Sequence, residues 1–566
     1  MKSVKRLLLA FFSCAFLFLI LLPQARSVSL IRISKDDVRV WGELERLQID
    51  VRQELETCFL ALADRKERDA LDASRIGFSV LDVDADGKDY VLVSLIAPEA
   101  ESELSARGQA VAVEPGTAVF WSTEGASLKM LPPGFPRKPL SSASVLPYLR
   151  PPMEIEWAAP PAFLRDPLIA HIVDRLSEAE LRFLVQSLQD FQTRYATTPG
   201  CDAAGDFIRA AFSSFGLDGV RFDPFTFSGG CESRNVIAEI RGRTYPDDMI
   251  IICGHYDSIS PAETRLTLAP GADDNASGAA VVIEAARILS AFPLDFTVRF
   301  IAFSAEEWGL YGSRDYAAKA RAAGESIVGV INLDMVAYAD VMPEDLEVFV
   351  NTPSEWLAER LLAAASQYAD LAARKRVDAS MIYSDHSPFW DYGYAALLGI
   401  EDSPLQNPYY HRTADTIDKL NFGFFAGSAR AALALLAELA QPLREGAPRT
   451  PVDLTAAPIV TRSLFSTLKS ARLSWSAQSD AAGYNVYRTS ISHLSYTKIN
   501  DSPIAETSFL DRNIRTEIPY FYVVTAVGST GIESNRSREA SVAAGGAASA
   551  SRCQNLGFFD LRPEGK

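Results

Sequence analysis

Five short stretches of this 566-residue sequence carry the residue types that bind divalent metals and move protons. They are CGHYDS, with His255 and Asp257; PGADDNASG, with Asp273 and Asp274; FIAFSAEEWGLYGS, with Glu306 and Glu307; VINLDMV, with Asp334; and NPYYHRTADT, with His411. Two imidazoles and several carboxylates, with no thiol among them, suit a hard-to-borderline divalent ion such as zinc and argue against a closed structural zinc site. These ligands outnumber what one tetrahedral ion takes, whereas a two-metal site with one bridging carboxylate uses them all. Glu306 and Glu307 pose a question of their own. Neighbours in an extended segment point to opposite sides, so adjacent carboxylates at a strand end suggest two different jobs.

The elements around these stretches explain how they could meet. From about residue 160 to 445 amphipathic helices alternate with short apolar strands. DDMIIICGHYDS, FTVRFIAFSAEE, SIVGVINLDM and YAALLGI read as strands, and SGAAVVIEAARILSAF and a segment near Tyr311 to Ala322 read as helices. That alternation predicts an α/β fold with a mostly parallel, buried central sheet flanked by helices. In such a sheet the carboxyl ends of the strands lie along one edge, where ligands bind. The five stretches sit at predicted strand ends or in loops and are expected to converge there.

In this order and at these intervals, GHYDS, GADDNASG, SAEEWGLYGS, NLDM and YYHRTADT resemble the M28 family of zinc aminopeptidases, over roughly Asp166 to Ala440. The resemblance implies two zinc ions, with His255 and Asp334 on one, Glu307 and His411 on the other, and Asp274 bridging both. It leaves Glu306 as the general base for a metal-activated water, Asp257 as the residue that orients His255, and Tyr410 as support for the oxyanion. His386 and its neighbour Asp385, in YSDHSPFWDYGYAALL, are expected beside the site or in the substrate pocket and not on a metal. Trp308, Tyr383 and Phe389 could line that pocket or belong to the core. Taken singly the residues are less telling, since a Glu pair is often a solvated strand end and Asp273 reads as a helix cap. Three other readings stay open: a one-zinc glutaminyl cyclase of the same fold, a carboxypeptidase-type relative, and a non-catalytic binding or adhesion protein.

Four further segments flank this one. Residues 1–27 carry Lys2, Lys5 and Arg6 before an apolar run from Leu7 to Leu22, the pattern of a signal peptide that sends the chain to the periplasm or outside the cell; an uncleaved membrane anchor is the alternative. Cleavage there removes four positive charges and takes the net charge from −17 to −21. Such acidity argues against nucleic acid as a partner. Residues 28–150 read as an N-terminal α+β accessory or pro-segment, closed by the Pro-rich LPPGFPRKPLSSASVLPYLRPP as a linker. Residues 452–545 lose all helical pattern. With Trp475, YNVYR and the Tyr-rich PYFYVVTAV they resemble a fibronectin type III-like sandwich, which implies contact with extracellular protein or carbohydrate beside the peptide substrates of the enzyme. Residues 546–566 read as a flexible tail. Export permits disulfides, and Cys201 and Cys231, in polar Gly-rich surroundings, are the candidate pair.

Overall fold

The structure, a computed structural model, describes residues 28–95, 104–122, 131, 136–148, 165–340, 344–462, 467–515 and 518–543. The signal-peptide and tail readings fall outside these residues.

Alternation with a period of two shapes the N-terminal module. Its first antiparallel sheet has the order β2 (Asp50–Glu54), β3 (Cys58–Ala63), β1 (Ser29–Ser34), β4 (Phe78–Asp82). In β1, Ile31 and Ile33 face Val40, Leu44 and Leu71 of two helices, Val40–Leu47 and Arg65–Ala73. Leu30 points the other way, toward Tyr90 and toward Leu92, Val119 and Trp121 of a second sheet. That second sheet runs β6 (Gln109–Glu114), β7 (Thr117–Trp121), β5 (Val91–Ser94), β8 (Arg137–Pro139). The Pro-rich stretch expected to be a linker therefore contributes a strand. Pro139 is tolerated because β8 is an edge strand.

The next part is built on an eight-stranded sheet. Its order is β15 (Ala372–Val377), β14 (Asp345–Val350), β16 (Ala396–Glu401), β13 (Ser326–Leu333), β11 (Tyr245–His255), β12 (Phe296–Phe303), β10 (Cys231–Ile240), β9 (Asp218–Phe227). The central four, β16, β13, β11 and β12, are mutually parallel. β14 and β10 join them antiparallel, and β9 completes a hairpin with β10. The sheet is thus mixed, where a mostly parallel one was expected. The apolar runs that suggested parallel strands belong to the centre, where every residue of FTVRFIAF in β12 is buried. β9, DGVRFDPFTF, mixes polar and apolar residues and is partly exposed, as an edge strand should be.

Helices cover both faces. Tyr316, Ala317 and Ala320 of helix Tyr311–Ala323 pack with Phe389 and Trp390 onto Ile251, Cys253, Ile301 and Phe303. Helices Gly278–Leu289 and Phe422–Ala440 contact β11 and β12. Phe422–Ala440 is long and apolar enough to cross a membrane, yet 83% of it is buried inside the protein, as befits a core helix.

Chain compactness separates the described residues from Leu443 onward as a second unit. It holds two antiparallel sheets, β17 (Thr455–Arg462), β18 (Thr467–Ser474), β21 (Ser508–Ile514) and β20 (Thr497–Lys498), β19 (Gly483–Thr489), β22 (Tyr520–Val527), β23 (Ala540–Val542). They share one core around Leu473, Trp475, Tyr484, Val486, Tyr522 and Val524.

Candidate metal centre

Three central strands end at one edge and lead into four residues of the site. β11 ends on His255, β13 is followed at once by Asp334, and β12 runs through Ser304 and Ala305 into Glu306 and Glu307. The turn after β11 brings up Asp274, and the segment after β16 brings up His411. Small residues make the approach feasible: a Cβ on Gly278 would lie 2.2 Å from the carbonyl oxygen of Leu333. No larger residue could bring the helix start this close to the end of β13.

Side-chain atoms then fall into two groups. His255 Nε2 lies 3.3 Å from Asp334 Oδ1 and 3.4 Å from Asp274 Oδ1. His411 Nε2 lies 3.0 Å from Glu307 Oε2 and 3.2 Å from Asp274 Oδ2. Asp274 thus offers one oxygen to each group. Glu306 stands beside the first group, its Oε2 3.9 Å from His255 Nε2. The separations fit a metal. Ligands 2.0–2.1 Å from a tetrahedral ion lie about 3.3 Å from one another. Buried Glu307 Oε1 finds no hydrogen-bond partner within the protein, as expected of an oxygen meant for something else.

Electrostatics point the same way. Burial alone would lower the imidazole of His255, but Asp334, Glu306, Asp257 and Asp274 raise it well above its ordinary value. Burial likewise opposes protonated His411, yet Glu307 and Asp274 raise it to about 10. Burial pushes Glu307 up to about 7 and Glu306 well above the ordinary carboxylate range. Asp274 goes down despite burial, because both imidazoles hydrogen-bond to it. Such a set carries more negative charge than its histidines can balance, which cations relieve.

The surrounding shell fixes these groups. The ring Nδ1 of His255 lies 3.1 Å from the backbone carbonyl of Asp257 and 3.6 Å from its carboxylate. That carboxylate instead accepts the backbone N–H groups of Glu306 and Glu307, at 3.2 and 3.3 Å. Asp257 therefore holds both a histidine and the glutamate pair. Asp273 does not cap a helix. Its Oδ1 accepts the N–H groups of Ala337 and Tyr338, tying the Asp274 turn to the loop beyond Asp334. Tyr410 stacks on His411 with ring centroids 3.8 Å apart.

Three supporting residues carried no spacing signature. Asp415 accepts the N–H groups of Asp273 and Asp274. Ser384 donates to Asp334 Oδ2 at 2.6 Å. Arg194, fully buried, donates to the carbonyls of Leu188, Tyr256, Pro270 and Gly271 and so fixes the backbone leading to Asp274. Asp415 and Ser384 lie in stretches quoted above and Arg194 does not, but hydrogen bonds to partners distant in sequence leave no pattern to read.

Other expectations change. His386 is fully buried and belongs to neither group, its Nε2 2.7 Å from the Met381 carbonyl and its ring edge-on to Trp390. Its neighbour Asp385 does feel His255, although burial dominates and pushes it up to about 7. Phe389 belongs to the core, between Phe303 and Tyr316. Cys201 and Cys231 are both free thiols and no disulfide joins them. Cys201 opens helix Pro199–Ser214 and faces Ser304 at 3.6 Å, whereas Cys231 starts β10 and packs with Phe225 and Phe227. Their polar flanks misrepresented two sheltered side chains.

Known proteins share this arrangement's sequence. Residues 235–436 match the model of peptidase family M28. Over 287 residues the chain is 30% identical to a probable leucine aminopeptidase of Arthroderma otae, spanning 48% of this chain and 75% of that one. The chain belongs to peptidase family M28. This M28 peptidase is also 26% identical over 386 residues to a probable zinc metalloprotease of Pyrenophora tritici-repentis, spanning 57% of this chain and 77% of that one. Among solved structures, the LapA aminopeptidase of Legionella pneumophila aligns at 18% identity with a TM-score of 0.48, covering 62% of this chain and 98% of that one.

Proposed function

We propose that this chain is an exported di-zinc aminopeptidase that removes N-terminal residues from peptides. The protein is a zinc-dependent metallo-aminopeptidase by its family and its aminopeptidase relatives. The two-ion reading rests on one observation above all: the oxygens of Asp274 are divided between the His255–Asp334 group and the Glu307–His411 group. Export rests on the signal-like residues 1–27, and the C-terminal sheets, read as a fibronectin type III-like module, would add contact with extracellular protein or carbohydrate.

His255 and Asp334 would hold one ion, Glu307 and His411 the other, with Asp274 between them. Bound there, two divalent ions supply Lewis-acid activation of water and of the scissile carbonyl. Glu306 does the proton work. Its carboxylate is held beside the ligands by the Asp257–backbone bond, accepts a proton as water attacks, and delivers it to the departing amine. The raised affinity of Glu306 for a proton suits that task. Tyr410, stacked on His411, would donate to the oxyanion.

A panel of aminoacyl-4-nitroanilides, free and N-acetylated, tests this reading. Release of 4-nitroaniline from free amines alone, abolished by chelation and by Glu306→Gln, is expected. Equal turnover of the acetylated compounds would contradict it.

A further inference from the structure

Among its described residues the N-terminal module holds no catalytic constellation, yet it reaches both halves of the metal centre. Every backbone hydrogen-bonding group of the Glu306–Glu307 pair is held. Their N–H groups go to Asp257, and the Glu306 carbonyl accepts Gly309 and Leu310 N–H at 2.7 and 2.8 Å. The Glu307 carbonyl accepts Nη2 of Arg137 at 3.1 Å. All but the last of these bonds come from the turns that follow β11 and β12; Arg137 lies 170 residues earlier, in β8.

The next residue of β8 makes a second tie. Lys138 is 0% exposed, and its ammonium donates to Asp391 at 2.9 Å. Asp391 ends the short helix Ser387–Asp391. Just before that helix, Ile382 and Tyr383 lie in the module's own apolar core, with Leu30, Leu60, Leu92 and Trp121. Ser384 follows, and it is Ser384 that holds Asp334. One tie therefore stands behind Glu307 and the other behind Asp334.

We infer that residues 29–140 are a permanent brace of the metal centre, retained in the active enzyme, with Arg137 a positioning residue for the Glu306–Glu307 turn. The inference rests on the assignment of Glu307 and Asp334 as metal ligands. A detachable pro-segment would have to leave through this contact, taking the Lys138 ammonium from the buried Asp391 carboxylate and exposing Ile382 and Tyr383 to water.

The test combines intact-mass analysis of the active, exported species with zinc retention against a competing chelator. The active species should keep residues 29–140. Arg137→Ala should keep its fold by circular dichroism, lose zinc more readily and lower kcat, each by roughly tenfold to a hundredfold. Arg137→Lys, which can still donate to the carbonyl, should recover part of both. Lys138→Met and Asp391→Leu should each lower the melting temperature, and the double variant should regain much of the loss. An active species lacking residues 29–140, or Arg137→Ala with wild-type zinc retention and kcat, would overturn the brace while leaving the peptidase intact. A wild-type chain that binds no zinc would instead sink the ligand assignment itself, and the brace with it.

Discussion

The edge of the central sheet and the layer just behind it treat the same side chain in opposite ways. His255 and His386 are both essentially sealed from solvent. At the edge, carboxylates overcome burial and raise His255 well above its ordinary value. Behind the edge, His386 meets a carbonyl, an indole and the Lys138 ammonium, and burial carries it down to about 3. Burial sets the stakes, and the neighbouring charge sets the sign. A metal centre is built where buried imidazoles are outnumbered by carboxylates. A buried histidine without them is core.

The sharpest way to break this contrast is to remove the carboxylate that both groups share. Asp274→Ala should leave less than one zinc per chain and cut kcat/KM by more than about a thousandfold, the loss expected when the metal chemistry goes altogether. Metal analysis beside turnover checks it, and two retained ions would refute the bridging role. Glu306→Gln should separate binding from chemistry, keeping two zinc ions while kcat falls by roughly a hundredfold to ten-thousandfold.

A milder change should follow Asp257→Asn. Its carboxylate accepts two backbone N–H groups, and an amide can accept them only with one oxygen. We expect losses of about tenfold to a hundredfold in zinc affinity or kcat, read by chelator competition and steady-state kinetics.

The smallest effect concerns the region behind the edge. His386 has a folded value near 3 against 6.5 for a free imidazole, so below pH 6.5 the unfolded chain takes up a proton that the folded chain refuses. Its contribution to stability is complete above pH 6.5 and is lost progressively as pH falls toward 3. Between pH 7 and 5 the melting temperature of the wild type should therefore fall more than that of His386→Leu. Parallel curves would show that His386 is not held neutral.

The residues of the edge were legible because their chemistry is written in their types. Histidine, aspartate and glutamate at strand ends are conspicuous, and the parallel centre of the sheet carries them to one line. What supports them was not legible. Arg194, Asp415 and Ser384 act through hydrogen bonds whose partners are distant in sequence. Arg137 and Lys138 were hidden further, inside a Pro-rich stretch that reads as a linker. They show their role only once β8 is paired with β5 and the module is packed. The mixed sheet and the two free cysteines were misjudged for a related reason: edge pairing and side-chain direction are tertiary facts. Apolar runs located the strands but could not say which way the outer ones travel.

The central claim is that two ions, one per group, are needed together. The most direct measurement starts from chelated, metal-free enzyme and follows hydrolysis of leucine-4-nitroanilide as zinc is added in known equivalents. Activity should rise and level off at two zinc ions per chain. A plateau at one equivalent, or full activity before any zinc is added, would contradict the account.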